Sequence, residues 1–253
     1  MTQIASPQNP RLKAVRRLHT RRERARSGRF VAEGEDLVAA AQRAGRVPVE
    51  GYRVSGCDCG NDDFYEVERS ALASVSALGS GSRVIGVYEQ RWVAPVGPLC
   101  VYLHGVGDPG NVGTVLRSAH AFGASCVALG PGCADPHSPK AVRASMGAIF
   151  AVALARVGDV AELPGQRIAL AANADEPLRG PGAASSPEGE DATVASGPLT
   201  LLIGAERDGL PADVIAACER VARIPIASES LNAAMAATVA LYEMTRAARV
   251  PAS

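Results

Sequence analysis

Apolar positions along the chain follow two patterns, which change near residue 99. Up to about residue 90, short apolar runs alternate with Gly and Ser, and the run Arg83–Tyr88 is typical of a strand. Beyond residue 99, apolar runs of strand length alternate with segments of helical spacing. The predicted strands cover residues 99–106, 125–129, 150–154, 168–171, 199–204 and 221–226, and the predicted helices cover residues 112–122 and 231–248. This alternation predicts an α/β fold with a mostly parallel sheet.

Residues 91–98 separate the two patterns and contain Pro95 and Pro98, which interrupt regular structure and predict a linker. The chain has 253 residues, of which 47% are hydrophobic, enough for two domains. We therefore expect a smaller α/β domain over residues 1–90 and a larger one over residues 99–253. Residues 179–198 have almost no large apolar side chain, which predicts a loop.

The 26 basic and 26 acidic residues balance, but their distribution is uneven. Residues 11–29 contain nine basic residues against one acid, a net charge of +8, which leaves the rest of the chain with 17 basic and 25 acidic residues. The nine are Arg11, Lys13, Arg16, Arg17, Arg21, Arg22, Arg24, Arg26 and Arg29. A basic leading segment ahead of an acidic body predicts contact with nucleic-acid phosphate.

No apolar run reaches the roughly 18 residues that a membrane span requires, and no apolar run follows the N-terminal charges as in an export signal. These features predict a cytoplasmic protein without membrane association. The six Cys residues are spread over the chain, which predicts free or buried thiols rather than disulfides. Cys57 and Cys59 have no second Cys or His pair at ligand spacing, so no metal is predicted.

The segment Gly105–Gly110 matches the GxGxxG pattern of dinucleotide-binding folds. That fold also needs an acid at the end of its second strand, but here Leu129 is followed by Gly-Pro-Gly, and the nearest acid is Asp135. The pattern therefore favours turn glycines, and a dinucleotide-dependent enzyme stays open as an alternative.

Polar residues follow three separate predicted strands, at the strand ends where ligands bind in open α/β sheets. Asn111 and Arg117 follow the first strand, Glu206 follows the run that ends at residue 204, and Ser230 and Asn232 follow the run that ends at residue 226. Three such groups at equivalent strand ends predict one shared site.

These residues carry a resemblance to a known family. Residues 111–123 (NVGTVLRSAHAFG), 203–211 (IGAERDGLP) and 224–232 (IPIASESLN) resemble the three motifs of the SpoU (TrmH-type) RNA ribose methyltransferases of the SPOUT superfamily. Residues 29–34 resemble the opening of the substrate-binding domain that precedes the catalytic domain in many members. The resemblance implies a parallel-sheet domain with a C-terminal trefoil knot, a homodimer with the site at its interface, and S-adenosylmethionine bound in the knot. It also implies methyl transfer to a ribose 2′-hydroxyl of RNA, with ribosomal RNA expected and transfer RNA as the alternative.

The resemblance also implies roles for single residues. Arg117 acts on the 2′-hydroxyl; because a guanidinium keeps its proton to beyond pH ~12, we expect it to orient the hydroxyl and hold the adjacent phosphate. Asn111 and Glu206 would fix the polar network, and Ser230 and Asn232 would cap the last helix or contact substrate. The residues expected at the cofactor are Ile203, Gly204, Ile224, Ile226 and Leu231, and those expected at RNA are Arg11, Arg16, Arg17, Arg21, Arg22, Lys140 and Arg143.

The third motif departs from the family pattern. Its Ile-Pro-Ile replaces the usual Ile-Pro-Met, and the spacer before Ser230 is about two residues shorter than usual. Because this spacer lies where the cofactor is expected, a non-catalytic relative that only binds RNA stays open as a second alternative.

Overall fold

The computed structural model describes residues 3–79, 81–180, 197–228 and 230–246. The chain divides into two compact units. The first unit comprises Met1–Arg91 together with Asp135–Ala151, and the second comprises Trp92–Ala134 together with Val152–Ser253. The predicted boundaries assign residues 135–151 to the larger domain, whereas the structure groups them with the smaller unit.

The first unit is a four-stranded mixed sheet with helices. Its elements before residue 91 are α1 Pro10–Arg17, α2 Arg21–Ser27, β1 Arg29–Glu33, α3 Glu35–Arg43, β2 Glu50–Val54, β3 Tyr65–Val67, α4 Arg69–Ala73 and β4 Val84–Glu89. The strand order is β1-β4-β2-β3, with β4 antiparallel to both β1 and β2 and with β3 parallel to β2. Leu12 and Val15 of α1 join Tyr52 and Ile85 of the sheet in one buried cluster. The smaller α/β domain thus has its core on the sheet face that α1 covers.

The basic segment forms α1 and α2, and one of its arginines is part of the core. Arg24 is 3% exposed. Its Nε and Nη2 both donate to Oδ2 of Asp135 over 2.8 Å, and its Nη1 donates to the carbonyl oxygens of Leu18 and His19 over 2.9 Å. A buried guanidinium with all these acceptors is structural, and it ties residue 135 to the first unit.

The remaining elements complete the chain. They are β5 Leu99–Leu103, α5 Pro109–Phe122, β6 Cys126–Leu129, α6 Pro139–Ala144, α7 Ala148–Ala151, β7 Ala153–Arg156, a 3₁₀ turn Val160–Glu162, β8 Gln166–Leu170, β9 Glu176–Pro177, β10 Leu199–Ile203, α8 Ala212–Ala216, β11 Arg220–Arg223 and α9 Ala233–Thr245. Within the described ranges, the second unit has one sheet of order β7-β6-β5-β10-β8-β11-β9, and every strand pair in it is parallel. The predicted parallel sheet is confirmed, and the knot stays a prediction.

Several predicted bounds differ from the structure. The strand predicted from residue 150 begins at Ala153, because Phe150 lies at the end of α7 and packs against Phe30 and Tyr88 in the first unit. The predicted linker is partly ordered, since Val93 donates its N–H to the Leu154 carbonyl at the sheet edge. Most of the predicted loop over residues 179–198 lies outside the described residues.

Helices α5 and α9 pack against each other in the second unit. Asp108 caps α5 by accepting from the N–H groups of Gly110 and Asn111, and Gly123 ends the helix in the left-handed conformation. Buried alanines along α9 leave room for close approach, and the Ser118 and Thr238 hydroxyls lie 2.6 Å apart between the helices. The first and third motifs are therefore held side by side. No described helix is long and apolar enough to cross a bilayer.

One cysteine prediction is wrong. Cys57 and Cys59 form a disulfide, because the tight loop after β2 brings their Cα atoms to 5.3 Å, within the range that a disulfide spans. Cys100, Cys126, Cys133 and Cys218 are free thiols.

Candidate functional site

The second motif forms a tight loop at the carboxyl end of β10. Ala205 and Gly209 exchange backbone hydrogen bonds of 3.1 and 3.0 Å, and Gly209 has a φ of +65°. A Cβ atom on Gly204 would lie 2.1 Å from the carbonyl carbon of Gly209 and 2.4 Å from the amide nitrogen of Leu210. Only glycine fits at position 204, and the loop that it allows presents the Glu206 side chain.

Side chains from all three motifs are joined by hydrogen bonds. The Asn111 side-chain amide, in the first turn of α5, donates to Oε1 of Glu206. The Asn232 side-chain amide donates to Oδ1 of Asn111 over 3.2 Å, while its own Oδ1 caps α9 by accepting from the N–H groups of Ala234 and Met235. The structure thus brings Asn111, Glu206 and Asn232 together in one polar network.

A cavity of about 540 Å³ lies at the carboxyl ends of β8 and β10. All five residues expected at the cofactor line it, as do Glu206 and Ser230. Its volume lies within the roughly 300–1,000 Å³ of small-molecule sites. The shortened third motif still reaches the cavity, because Ile224, Ile226 and Leu231 form part of its wall.

Sequence reasoning missed one wall of this cavity. The segment from Leu170 to Asn173, which follows β8, also lines it. A signal was present, since Asn173 is a polar residue just beyond a predicted strand, like the three groups from which the site was inferred. Ala233 and Ala236 of α9 also line the cavity and carry no such signal, because small apolar side chains look like helix core.

Arg117 stands apart from the cavity and the polar network. Its side chain is exposed on α5, it does not line the cavity, and it makes no hydrogen bond or ion pair with any described residue. Asn111 precedes it by six residues, which at 3.6 residues per turn places the two side chains about 120° apart around the helix. The structure therefore does not bring Arg117 to the site formed by the other motif residues of the same chain.

Comparison with known proteins identifies the family that has this arrangement. The model of the SpoU rRNA methylase family matches residues 98–242. The chain belongs to the SpoU rRNA methylase family. Residues 9–86 match the MRM3-like substrate binding domain, so the first unit of this SpoU chain contains a substrate-binding domain.

Relatives match almost the whole length of the chain. It is 26% identical to the 23S rRNA (guanosine(2553)-2′-O)-methyltransferase of Bacillus subtilis, over 96% of this chain and 99% of that protein. It is 30% identical to an uncharacterized tRNA/rRNA methyltransferase of Synechocystis, over 96% of this chain and 93% of that protein. Among solved structures, an rRNA methyltransferase from Sinorhizobium meliloti matches with a TM-score of 0.82 and 29% identity over 98% of both chains, and a second structure of it has AdoMet bound. The fold of the second unit is thus that of the SPOUT methyltransferases.

One glycine of the GxGxxG segment, Gly105, is fixed by chain packing in this SpoU fold. Gly105 has a φ of +68°, and a Cβ atom there would lie 3.3 Å from Cβ of Ala205. A Cβ atom on Gly132 would lie 3.1 Å from Cα of Gly105. These close approaches favour the turn interpretation over a dinucleotide site.

His104 follows β5 but is engaged away from the polar network. One of its ring nitrogens, Nδ1, lies 3.0 Å from the Tyr102 hydroxyl. Burial raises the pKa of Tyr102 to about 12, so this hydroxyl stays protonated near neutral pH. The exposed His120 on α5, like His104, makes no hydrogen bond to the Asn232–Asn111–Glu206 network within the described residues. Neither histidine is therefore positioned to take a proton at this site.

The residues expected at RNA divide into two groups. Arg11 pairs with Glu50 over 3.5 Å and lies over the Tyr65 ring, and Arg16 donates to the backbone and hydroxyl oxygens of Ser74 over 3.3 Å. All seven are exposed, and the other five include two on the short helix α6. They are Arg17, Arg21, Arg22, Lys140 and Arg143. Exposed basic side chains of this kind can contact a polyanion.

Proposed function

We propose that this chain is an S-adenosylmethionine-dependent RNA methyltransferase that modifies the ribose 2′-hydroxyl, with ribosomal RNA as its substrate. The observation that carries the proposal is the cavity of about 540 Å³ beside the Asn232–Asn111–Glu206 network. The activity of the Bacillus subtilis relative, 2′-O-methylation of 23S rRNA, supports the substrate class. We also propose that the protein acts in the cytoplasm.

The residues of the cavity fit S-adenosylmethionine. Ile203, Ile224 and Leu231 supply apolar walls suited to an adenine ring, and Ser230 and Glu206 supply polar groups at the rim. The Glu206 carboxylate also complements a cationic sulfonium. When bound, S-adenosylmethionine supplies an electrophilic methyl group.

The reaction depends mainly on positioning, since transfer of a methyl group requires the attacking oxygen, the carbon and the leaving sulfur to lie on one line. The hydrogen bonds from Asn232 to Asn111 and from Asn111 to Glu206 fix the polar rim before substrate arrives. Arg117 orients the 2′-hydroxyl and holds the neighbouring phosphate with its planar guanidinium.

A second copy of the chain would bring Arg117 to the site. Met235, Val239 and Tyr242 form an apolar stripe along α9 and are 64%, 41% and 55% exposed. Ser118, the neighbour of Arg117, hydrogen-bonds to α9, so Arg117 and the stripe lie on two helices that pack directly against each other. We infer that a homodimer buries this surface and that each Arg117 acts at the site of the partner subunit.

The basic helices would contact RNA through phosphate. Arg17, Arg21 and Arg22 are exposed at α1 and α2, and arginine holds phosphate through two parallel hydrogen bonds. These helices present no exposed aromatic side chain of their own, which favours recognition of backbone and shape over base stacking.

The test is incubation of the protein with methyl-labelled S-adenosylmethionine and unmodified ribosomal RNA, followed by alkaline hydrolysis. A 2′-O-methyl group blocks cleavage of its own phosphodiester, so we expect label in alkali-stable dinucleotides. The label should disappear with Arg117→Ala and persist with Arg156→Ala, which removes a surface guanidinium that stacks on Trp92 at 4.0 Å. Label in mononucleotides would instead indicate base methylation. Absence of both labelling and cofactor binding, with ribosomal and transfer RNA alike, would support the non-catalytic RNA-binding alternative.

A further inference from the structure

The loop after β2 gathers three metal-ligating side chains in the first unit, outside the site described above. The sulfur atoms of Cys57 and Cys59 and a carboxylate oxygen of Glu35 all lie within 4.8 Å of one another. Cys59 is 8% exposed, and Glu35 lies in the first turn of α3. Glu35 precedes Cys57 by 22 positions, so a search for Cys and His pairs at ligand spacing does not find the cluster.

Once the Cys57–Cys59 disulfide is opened, this cluster can adopt the separations of a tetrahedral zinc site. Zn–S bonds of about 2.3 Å and Zn–O bonds of about 2.0–2.2 Å place tetrahedral ligand atoms about 3.5–3.8 Å apart. Opening the disulfide lets the two sulfurs separate to such a distance without moving Glu35. Three protein ligands would leave the fourth position to water.

We propose that Cys57, Cys59 and Glu35 bind one Zn²⁺ ion when the two cysteines are reduced, and that disulfide formation releases it. Two thiolates are the soft donors that select zinc over magnesium or calcium, and the carboxylate completes a ligand set of net charge −3. The structure shows the pair in its oxidised form, in which neither sulfur is a thiolate.

The release step balances with a small-molecule disulfide, such as oxidised glutathione, as the oxidant. One thiolate attacks the glutathione disulfide and expels a first glutathione thiolate, and the second thiolate then attacks the mixed disulfide and expels another. One S–S bond forms in the protein as one breaks in the oxidant, two electrons pass to glutathione, and both Zn–S bonds are lost.

Arg83 is the charged neighbour that opposes binding. Its Nη2 lies 2.5 Å from Oε1 of Glu35, and its backbone carbonyl oxygen lies 3.7 Å from Sγ of Cys59. The ion pair engages one of the two carboxylate oxygens of Glu35. Since a cation so close raises the energy of a bound Zn²⁺, Arg83→Ala should bind zinc at least as tightly as the wild type.

The test is zinc titration of the full-length, reduced protein against a chromogenic chelator, with Co²⁺ as a spectroscopic substitute. We expect one Zn²⁺ per chain, no binding after treatment with oxidised glutathione, and a Co²⁺ complex with sulfur-to-metal charge-transfer absorption. Cys57→Ser/Cys59→Ser should abolish binding and Glu35→Gln should weaken it by about tenfold or more. The matched control Cys133→Ser/Cys218→Ser removes two other partly exposed free thiols and should bind zinc like the wild type.

Two results would overturn the proposal. One is a reduced wild-type protein that binds no stoichiometric zinc, and the other is unchanged binding by Cys57→Ser/Cys59→Ser. If that variant fails to fold, the Co²⁺ spectrum of the wild type decides, because a complex without sulfur-to-metal absorption contains no thiolate ligand. Methyl transfer is a separate readout, so failure of the zinc site leaves the proposed function untouched.

Discussion

Replacing Gly204 by Ala should impair cofactor binding more than any other single methyl group added to this site. The added Cβ would lie 2.1 Å from the Gly209 carbonyl carbon, 2.3 Å from its oxygen and 2.4 Å from the Leu210 nitrogen. All three atoms are backbone, so no side-chain rotation relieves the contact. The loop from Ala205 to Gly209 would have to move, and Glu206 with it.

The size of the effect follows from the cost of overpacking, about 1–3 kcal/mol. If S-adenosylmethionine binds only the native loop, its dissociation constant should rise about 5- to 150-fold, since 1.4 kcal/mol is a factor of ten. The melting temperature should fall by about 2–4 °C for each kcal/mol, as for chains of 150–250 residues.

Calorimetric titration of S-adenosylmethionine measures this effect, with Gly107→Ala as the matched control. Gly107 also lies in a strand-end loop of the second unit, but a Cβ atom there would meet its nearest neighbour, the Gly105 carbonyl oxygen, only at 4.0 Å. We expect near wild-type binding by Gly107→Ala. Equal affinities of the two variants would refute the argument that the loop around Gly204 shapes the cofactor cavity.

Three further predictions test other parts of the molecule. Arg24→Ala should lower the free energy of unfolding in urea by about 3–5 kcal/mol, because it leaves buried acceptors unpaired. Arg22→Ala should change that free energy by no more than about 0.5 kcal/mol but should reduce the salt dependence of RNA binding. Equal stabilities of the two variants would contradict the structural role of Arg24. The hydrogen bonds from Arg167 lower the pKa of Glu219 to about 2. The stabilisation of the folded protein by this pair is therefore complete above the unfolded pKa of about 4.3 and is lost as the pH falls toward 2. Glu219→Gln should lower the free energy of unfolding by less than about 1 kcal/mol at pH 7, and the difference in this free energy between variant and wild type should narrow near pH 3. Tyr242→Glu should yield monomers in light scattering at concentrations at which the wild type is dimeric, and an unchanged molar mass would argue against the α9 stripe as the dimer surface.

The parallel sheet could be predicted from sequence because its central strands β5, β6 and β10 are largely buried and appear as nearly continuous apolar runs. β10, for example, has the sequence LTLLI, in which only Thr200 is polar and all five residues are buried. Element ends were less predictable where tertiary contacts decide them. Phe150 belongs by composition to an apolar strand, but its place in the aromatic cluster of the first unit keeps it in α7.

Charge pattern overestimated the number of basic residues available to a ligand. Arg24 is indistinguishable in sequence from Arg21 and Arg22, but its partner Asp135 lies 111 positions away. No local rule connects them, and the same contact explains why residues 135–151 depart from the predicted domain boundary. The Glu35–Cys57–Cys59 cluster was missed for a similar reason, since its third member comes from another element.

The position of Arg117 decides how the site is assembled. One chain supplies the cavity and the polar network, and Arg117 is exposed outside both. If Arg117 acts in the partner subunit, mixed dimers of Arg117→Ala and Gly204→Ala chains contain one active site at a cofactor concentration too low for the Gly204→Ala cavity. That site is made of the cavity of the first and the arginine of the second.

Random mixing of equal amounts should then restore about one quarter of wild-type methyl transfer, since half of the dimers are mixed and each has one active site of two. Action within one chain predicts no restoration, because every chain then has a defective site. The control mixes the wild type with the double variant: about one quarter of wild-type activity is expected for action in the partner subunit, and about one half for action within the chain. Inactivity of the first mixture, with one half in the control, would place Arg117 in its own site and require α5 to move.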